Sequence, residues 1–130
     1  MEKEFVNYEI ALALKELGFD KPCILLYRGL DTQPVCQMGY EFKTEKNSDY
    51  NDETNYWLTA PLYQQAFRWF REKHGLISYV HPLALLQDTK KWCYEITNFE
   101  NSWDEDSDLH TLEEAEQACL LELINICKKK

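Results

Sequence analysis

The run from Thr59 to Gly75 constrains this chain more than any other stretch. It marks both ends of a helix: Thr59 suits the N-cap, Pro61 the first turn, and Gly75 the position just past the last turn. Between them lie Tyr63, Phe67, Trp69 and Phe70, with Arg68 and Arg71, two of the three arginines in the chain. At helical spacing, Leu62, Ala66, Trp69 and Phe70 form one stripe with Lys73 flanking it, while Tyr63, Phe67 and His74 form a second. Arg68 and Arg71 share a third face. A helix apolar on more than one side is ordinarily buried between layers, because rings dominate core energetics. The same residues also suggest a surplus of ring area that lines a pocket or a partner surface. Arginine forks grip phosphate or carboxylate at two points, and tyrosine or tryptophan stacks on a base. Tyr56 and Trp57, on the loop entering the helix, read as an aromatic lid or as a staple at the helix start. The candidate ligand-binding set is therefore Arg68, Arg71, Trp57, Tyr56, Tyr63 and Arg28.

The rest of the chain supplies alternating helix and hairpin signals. Asn7 can cap a helix whose Ile10, Ala13, Leu14 and Leu17 share a face, and Gly18 stops it. Residues 23–27 and 35–42 read as strands around a turn at 29–34, followed by a polar surface loop over 44–55. After the aromatic helix, residues 76–86 and 91–99 form a second hairpin turning at 87–90. In its later strand Trp92, Tyr94 and Ile96 share one face, and Cys93, Glu95 and Thr97 the other. Pro82 marks the earlier strand as an edge or as bent. Residues 100–108 read as an acidic loop. Thr111 and Glu114 open a capping box on a closing helix that buries Leu112, Ala115, Cys119, Leu123 and Ile126. The expectation is an α+β fold, helix–hairpin–helix–hairpin–helix, with one antiparallel sheet and helices on one of its faces. At 130 residues the chain is expected to form a single domain. The two helix-to-hairpin units are suggestive of each other without a sequence repeat.

Charge and chemistry narrow the function. The formal charge of -9 repels a phosphate backbone, so DNA and RNA are not expected partners. No apolar run approaches the length of a membrane span, and the five cysteines show no metal or disulfide spacing. Small core cysteines fit a reducing compartment, hence a cytoplasmic location. Asp104, Asp106 and Asp108 alternate like calcium ligands, but Leu109 and Ala115 stand where that loop needs glycine and a bidentate glutamate. His74, His81 and His110 are isolated in sequence, and His74 suits the negative end of its helix. Cys36 or Cys93 lacks a local nucleophile signature, and no glycine-rich phosphate loop occurs. No catalytic residue, cofactor or metal is expected.

Residues 60–73, the opening from Tyr8 to Asp20, and the run from Thr111 to Glu116 resemble segments of small uncharacterised proteins encoded by phages and prophages of gut Bacteroidales. The resemblance implies a phage accessory protein acting in the bacterial host cytoplasm. A non-enzymatic binding role is then expected. In counter-defence it would sequester a nucleotide-like host immune signal, a small anionic ligand, or block a host defence protein. The alternative is a protein-interaction or virion-associated structural module. Surplus rings and strand edges also leave room for a homodimer.

Overall fold

The computed structural model describes residues 4–28, 34–36, 44, 46–49, 57–82 and 91–129. The fold is α+β, with three α-helices and two three-stranded antiparallel sheets among those residues. In chain order the elements are α1 (Tyr8–Glu16), β1 (Leu25–Arg28), β2 (Pro34–Cys36), β3 (Trp57–Thr59), α2 (Tyr63–His74), β4 (Ile77–Pro82), β5 (Trp92–Thr97), β6 (Ser102–Leu109) and α3 (Leu112–Lys128). β1 pairs with β2 and β4 with β5, but the strands divide into two three-stranded sheets rather than the one sheet expected, because each pair takes on a further strand of its own, β3 or β6. The backbone clusters into two compact units, residues 1–65 and 66–130.

In the first unit, Asn7 caps α1 by accepting the Ile10 N–H at 2.9 Å through its side-chain oxygen. The helix ends in a Schellman arrangement: Gly18 N–H reaches Lys15 C=O and Phe19 N–H reaches Leu14 C=O, at 3.0 and 2.9 Å. Gly18 takes φ +95°, which a side chain would disfavour. The sheet order is β2–β1–β3, so β1 is central and carries buried Leu25, Leu26 and Tyr27. Tyr27 donates its hydroxyl to Val6 C=O at 2.7 Å, and its ring meets Tyr8 edge-on. Asn47 belongs to a short 3-10 turn over Asn47–Asp49 and is buried, contrary to the expected surface loop. Its side chain donates to Phe19 C=O at 2.8 Å and accepts Thr59 N–H at 2.9 Å, tying the end of α1 to β3. Polarity here reflects two backbone groups that needed partners inside, not a solvated loop.

Thr59 accordingly closes β3, opposite Leu26, and does not cap α2. The helix begins later, at Tyr63. Gln65 folds back to accept the Leu62 N–H at 3.0 Å, half of a capping box, and donates to Pro22 C=O at 2.9 Å.

In the second unit, β4, β5 and β6 form a meander with β5 in the centre, and α3 packs on it. β4 is an edge strand ending at Pro82, as the proline required. The expected acidic loop is instead mostly strand: β6 pairs with β5, Thr97 opposite Ser102 and Ile96 opposite Trp103. Charged residues are depleted in strands but tolerated on an edge, where they deter further pairing. Tyr94 and Ile96 are buried and Glu95 is exposed, as the alternation required, but at the start of β5, where the register with β6 shifts between Trp92 and Tyr94, Cys93 is buried as well and Trp92 is half-buried. Thr111 caps α3 by accepting the Glu114 N–H at 3.1 Å, while Glu114 takes the His110 N–H. The helix buries Ala115, Cys119, Leu120, Leu123, Ile124 and Ile126. Leu112 departs from the expectation: it is 39% exposed at the first helical position, ahead of the sheet-facing stripe.

The repeated order of one helix and three strands is not a structural duplication. The first sheet runs β2–β1–β3 and the second β4–β5–β6. Residues 29–33 of the turn expected at 29–34, residues 37–42 of the second expected strand, most of the 44–55 loop, and residues 83–90, which hold the end of the strand expected at 76–86 and the turn at 87–90, lie outside the described residues.

Candidate functional site

The aromatic helix folds as a packing element. Tyr63, Ala66, Phe67, Trp69 and Phe70 are all buried, so both apolar stripes are enclosed. Trp69 meets Phe70 edge-on at 5.0 Å and His74 edge-on at 4.9 Å. His74 is thus held in a ring cluster rather than standing merely as a terminal charge. Gly75 ends the helix at φ +68°, and Leu76 N–H returns to Phe70 C=O at 3.1 Å, with Leu76 itself fully buried.

The third face is charged and open. Arg68 donates from Nε to Glu72 at 2.8 Å, one helical turn on, with side chains 69% and 51% exposed. That hydrogen bond, then the charge of Glu72, raises the guanidinium pKa further above its ordinary value. Arg71 is also exposed. The two cations share a helix surface, but no ring of α2 stands open beside them.

The other sequence candidates lie in the first unit. Arg28 and Trp57 are register partners across β1 and β3. Trp57 is half-buried in β3, not on a loop, and its C=O accepts Lys15 Nζ at 3.4 Å. Tyr63 is buried at the start of α2. Tyr56 and the Arg28 side chain lie outside the described residues.

One pairing missed in the sequence joins two reactive residue types. His81 and Cys93 face each other across β4 and β5. Cys93 Sγ lies 3.4 Å from His81 Nδ1 and 3.5 Å from Nε2. Near-equal distances to both nitrogens put the sulfur over the ring rather than along either in-plane lone pair, so the contact is unlike a nucleophile–base hydrogen bond. His81 Nδ1 also lies 3.1 Å from Pro82 C=O. Elsewhere burial pushes the Cys23 thiol up to about 11, partly offset by the Thr59 hydroxyl, and the Cys119 thiol up to about 12. Such thiols are protonated and inert at neutral pH. Cys23, Cys93, Cys119 and Cys127 are free thiols, and no group of three metal-ligating side chains occurs among the described residues.

The open surface of the second unit is on the opposite side of its sheet from α3. Across the three strands, Tyr79, Glu95 and Asp104 lie in one row, and Ile77, Thr97 and Ser102 in the next. Tyr79 is 54% exposed, and both carboxylates are exposed. Beyond the second row, β5 turns into β6 through Phe99 and Glu100. Phe99 is 90% exposed and has φ +75°, the single positive value among described non-glycine residues. Asn98 Oδ1 accepts the N–H groups of Glu100 and Asn101 at 3.1 and 2.8 Å, and Thr97 Oγ1 donates to Asn101 C=O at 3.2 Å. The turn is held by the asparagines and the threonine, while the phenylalanine ring projects. The signal in the sequence was the pair Asn98 and Asn101 around a two-residue connection, a turn pattern inside what had read as strand end and loop.

No protein-family model, curated protein or solved structure matches this chain. Among the described residues, no helix is long and apolar enough to cross a membrane.

Proposed function

We propose that this protein is a non-catalytic accessory protein of phage type that acts by binding another protein in the bacterial cytoplasm, blocking a host defence component. The observation that carries this reading is where the aromatic surface lies. The rings of α2 are enclosed, whereas Phe99 and Tyr79 stand open on the second unit. A planar nucleotide needs an exposed ring to stack upon and guanidiniums converging on its phosphates. Arg68 is engaged with Glu72, and the rings beside it are internal. Exposed aromatics are the side chains most enriched at protein interfaces, where burying one contributes strongly to affinity. The phage assignment rests on the resemblance of the segments at 8–20, 60–73 and 111–116.

The test has two arms. Tagged full-length protein incubated with Bacteroidales lysate should retain one partner in stoichiometric amount. Cyclic nucleotides and cyclic ADP-ribose isomers should leave its melting temperature unchanged. A nucleotide-induced shift that disappears in both Arg68→Gln and Arg71→Gln would replace this reading with capture of a small anionic signal.

A further inference from the structure

We infer that the outer face of the β4–β5–β6 sheet docks on a partner protein by inserting Phe99 into an apolar pocket rimmed by lysine and arginine. The inference rests on the protein-binding reading and assigns it a surface and a chemistry. Folding gives no reason for Phe99. Its ring is 90% exposed and so adds almost nothing to the core, and its backbone sits at a φ of +75° that glycine or asparagine adopts more readily. The hydrogen bonds that close the turn come from Asn98, Asn101 and Thr97 and do not involve the ring. The bonded turn fixes the backbone that presents the ring, so binding has only the ring's own rotamers left to order.

The charge around it specifies the partner. Glu100 is the second residue of the same turn and is exposed. Glu95 and Asp104 stand directly opposite one another in the β5–β6 register, on the same face as Tyr79. Like charges placed opposite one another work against strand pairing, and a cation from outside would relieve them. The exposed carboxylates of Glu95, Glu100 and Asp104 make this face acidic, which disfavours a phosphate backbone or the same face of a second copy. An apolar pocket with a basic rim is complementary on both counts.

The experiment places the photo-crosslinker p-benzoyl-phenylalanine at position 99 of the full chain, and in a second version at Leu121 on the exposed side of α3. Each purified protein is irradiated in Bacteroidales lysate and the attached peptide is sequenced. Position 99 should give one dominant protein adduct whose peptide carries lysine or arginine beside apolar residues. Tenfold excess wild-type protein should suppress it at least fivefold, Phe99→Gly should not, and raising salt from 50 to 300 mM should lower the yield severalfold. An adduct from Leu121 alone, equal competition by Phe99→Gly, or a yield indifferent to salt would overturn the anchor while leaving protein binding in place. A nuclease-sensitive adduct would overturn both, as would the absence of adducts at either position.

Discussion

Truncating Asn47 to alanine is the sharpest test of how the first unit is held together. The side chain is 6% exposed and makes two hydrogen bonds to backbone groups, Phe19 C=O at 2.8 Å and Thr59 N–H at 2.9 Å. Asn47→Ala removes both bonds: taking the acceptor from the buried Thr59 N–H costs about 1–3 kcal/mol, and losing the bond to Phe19 C=O about 0.5–1.5 kcal/mol more. Allowing for a water entering the vacated space, the expected loss is about 3 kcal/mol. A chain of this length has roughly 6–20 kcal/mol of stability, so the loss is large and corresponds to about 10 °C in melting temperature. Urea unfolding followed by tryptophan fluorescence and circular dichroism measures it. Ser48→Ala is the control, because Ser48 is exposed and joins Asp20 through its backbone N–H at 2.7 Å, a bond that survives truncation. Its expected effect is under about 0.5 kcal/mol. A loss below about 1 kcal/mol for Asn47→Ala would refute the reasoning and return the residue to a solvated loop.

The remaining tests address the second unit and the buried thiols. Leu123→Ala should cost about 3 kcal/mol in urea unfolding, since Leu123 is fully buried, whereas Leu121→Ala, at a position 48% exposed, should cost well under 1 kcal/mol. Equal losses would mean that α3 presents a different face to the sheet. Burial raises the Cys23 and Cys119 thiols from 9.0 to about 11 and about 12. The folded state therefore keeps protons that the unfolded chain releases above pH 9. Stability should be unaffected by these thiols below that pH and fall above it, by up to about 1.4 kcal/mol per pH unit for each thiol. Unfolding of wild type and Cys119→Ala at pH 8.5, 9.5 and 10.5 should show a shallower fall in the variant; parallel slopes would contradict the burial of that thiol.

What the sequence revealed follows from which forces act locally. Asn7, Gly18, Gly75 and Thr111 announced helix boundaries because caps satisfy backbone groups within a few residues. The alternation in β5 exposed its buried face for the same reason of short range. Thr59 misled because a threonine before a proline suits a helix start, while its N–H was committed to Asn47, a contact that local sequence does not encode. Likewise Asn47 looked solvated and β6 looked like a loop, since polarity does not distinguish water from a buried backbone partner, or a loop from an edge strand. The candidate site was the least legible part. Ring content in α2 signalled packing, and the exposed ring at Phe99 emerged from a turn whose geometry places it outside the core.

The central claim is that the β5–β6 turn is shaped by something other than the stability of the fold. The free energy of unfolding of Phe99→Gly tests it most directly. Removing an exposed ring costs almost no burial, and glycine relieves about 1–2 kcal/mol of left-handed backbone cost while adding up to about 1 kcal/mol of unfolded-state freedom. The variant should therefore be more stable than wild type by about 0.5–1 kcal/mol. A variant less stable than wild type would show that Phe99 serves the fold, and the case for an outward-facing anchor would fall with it.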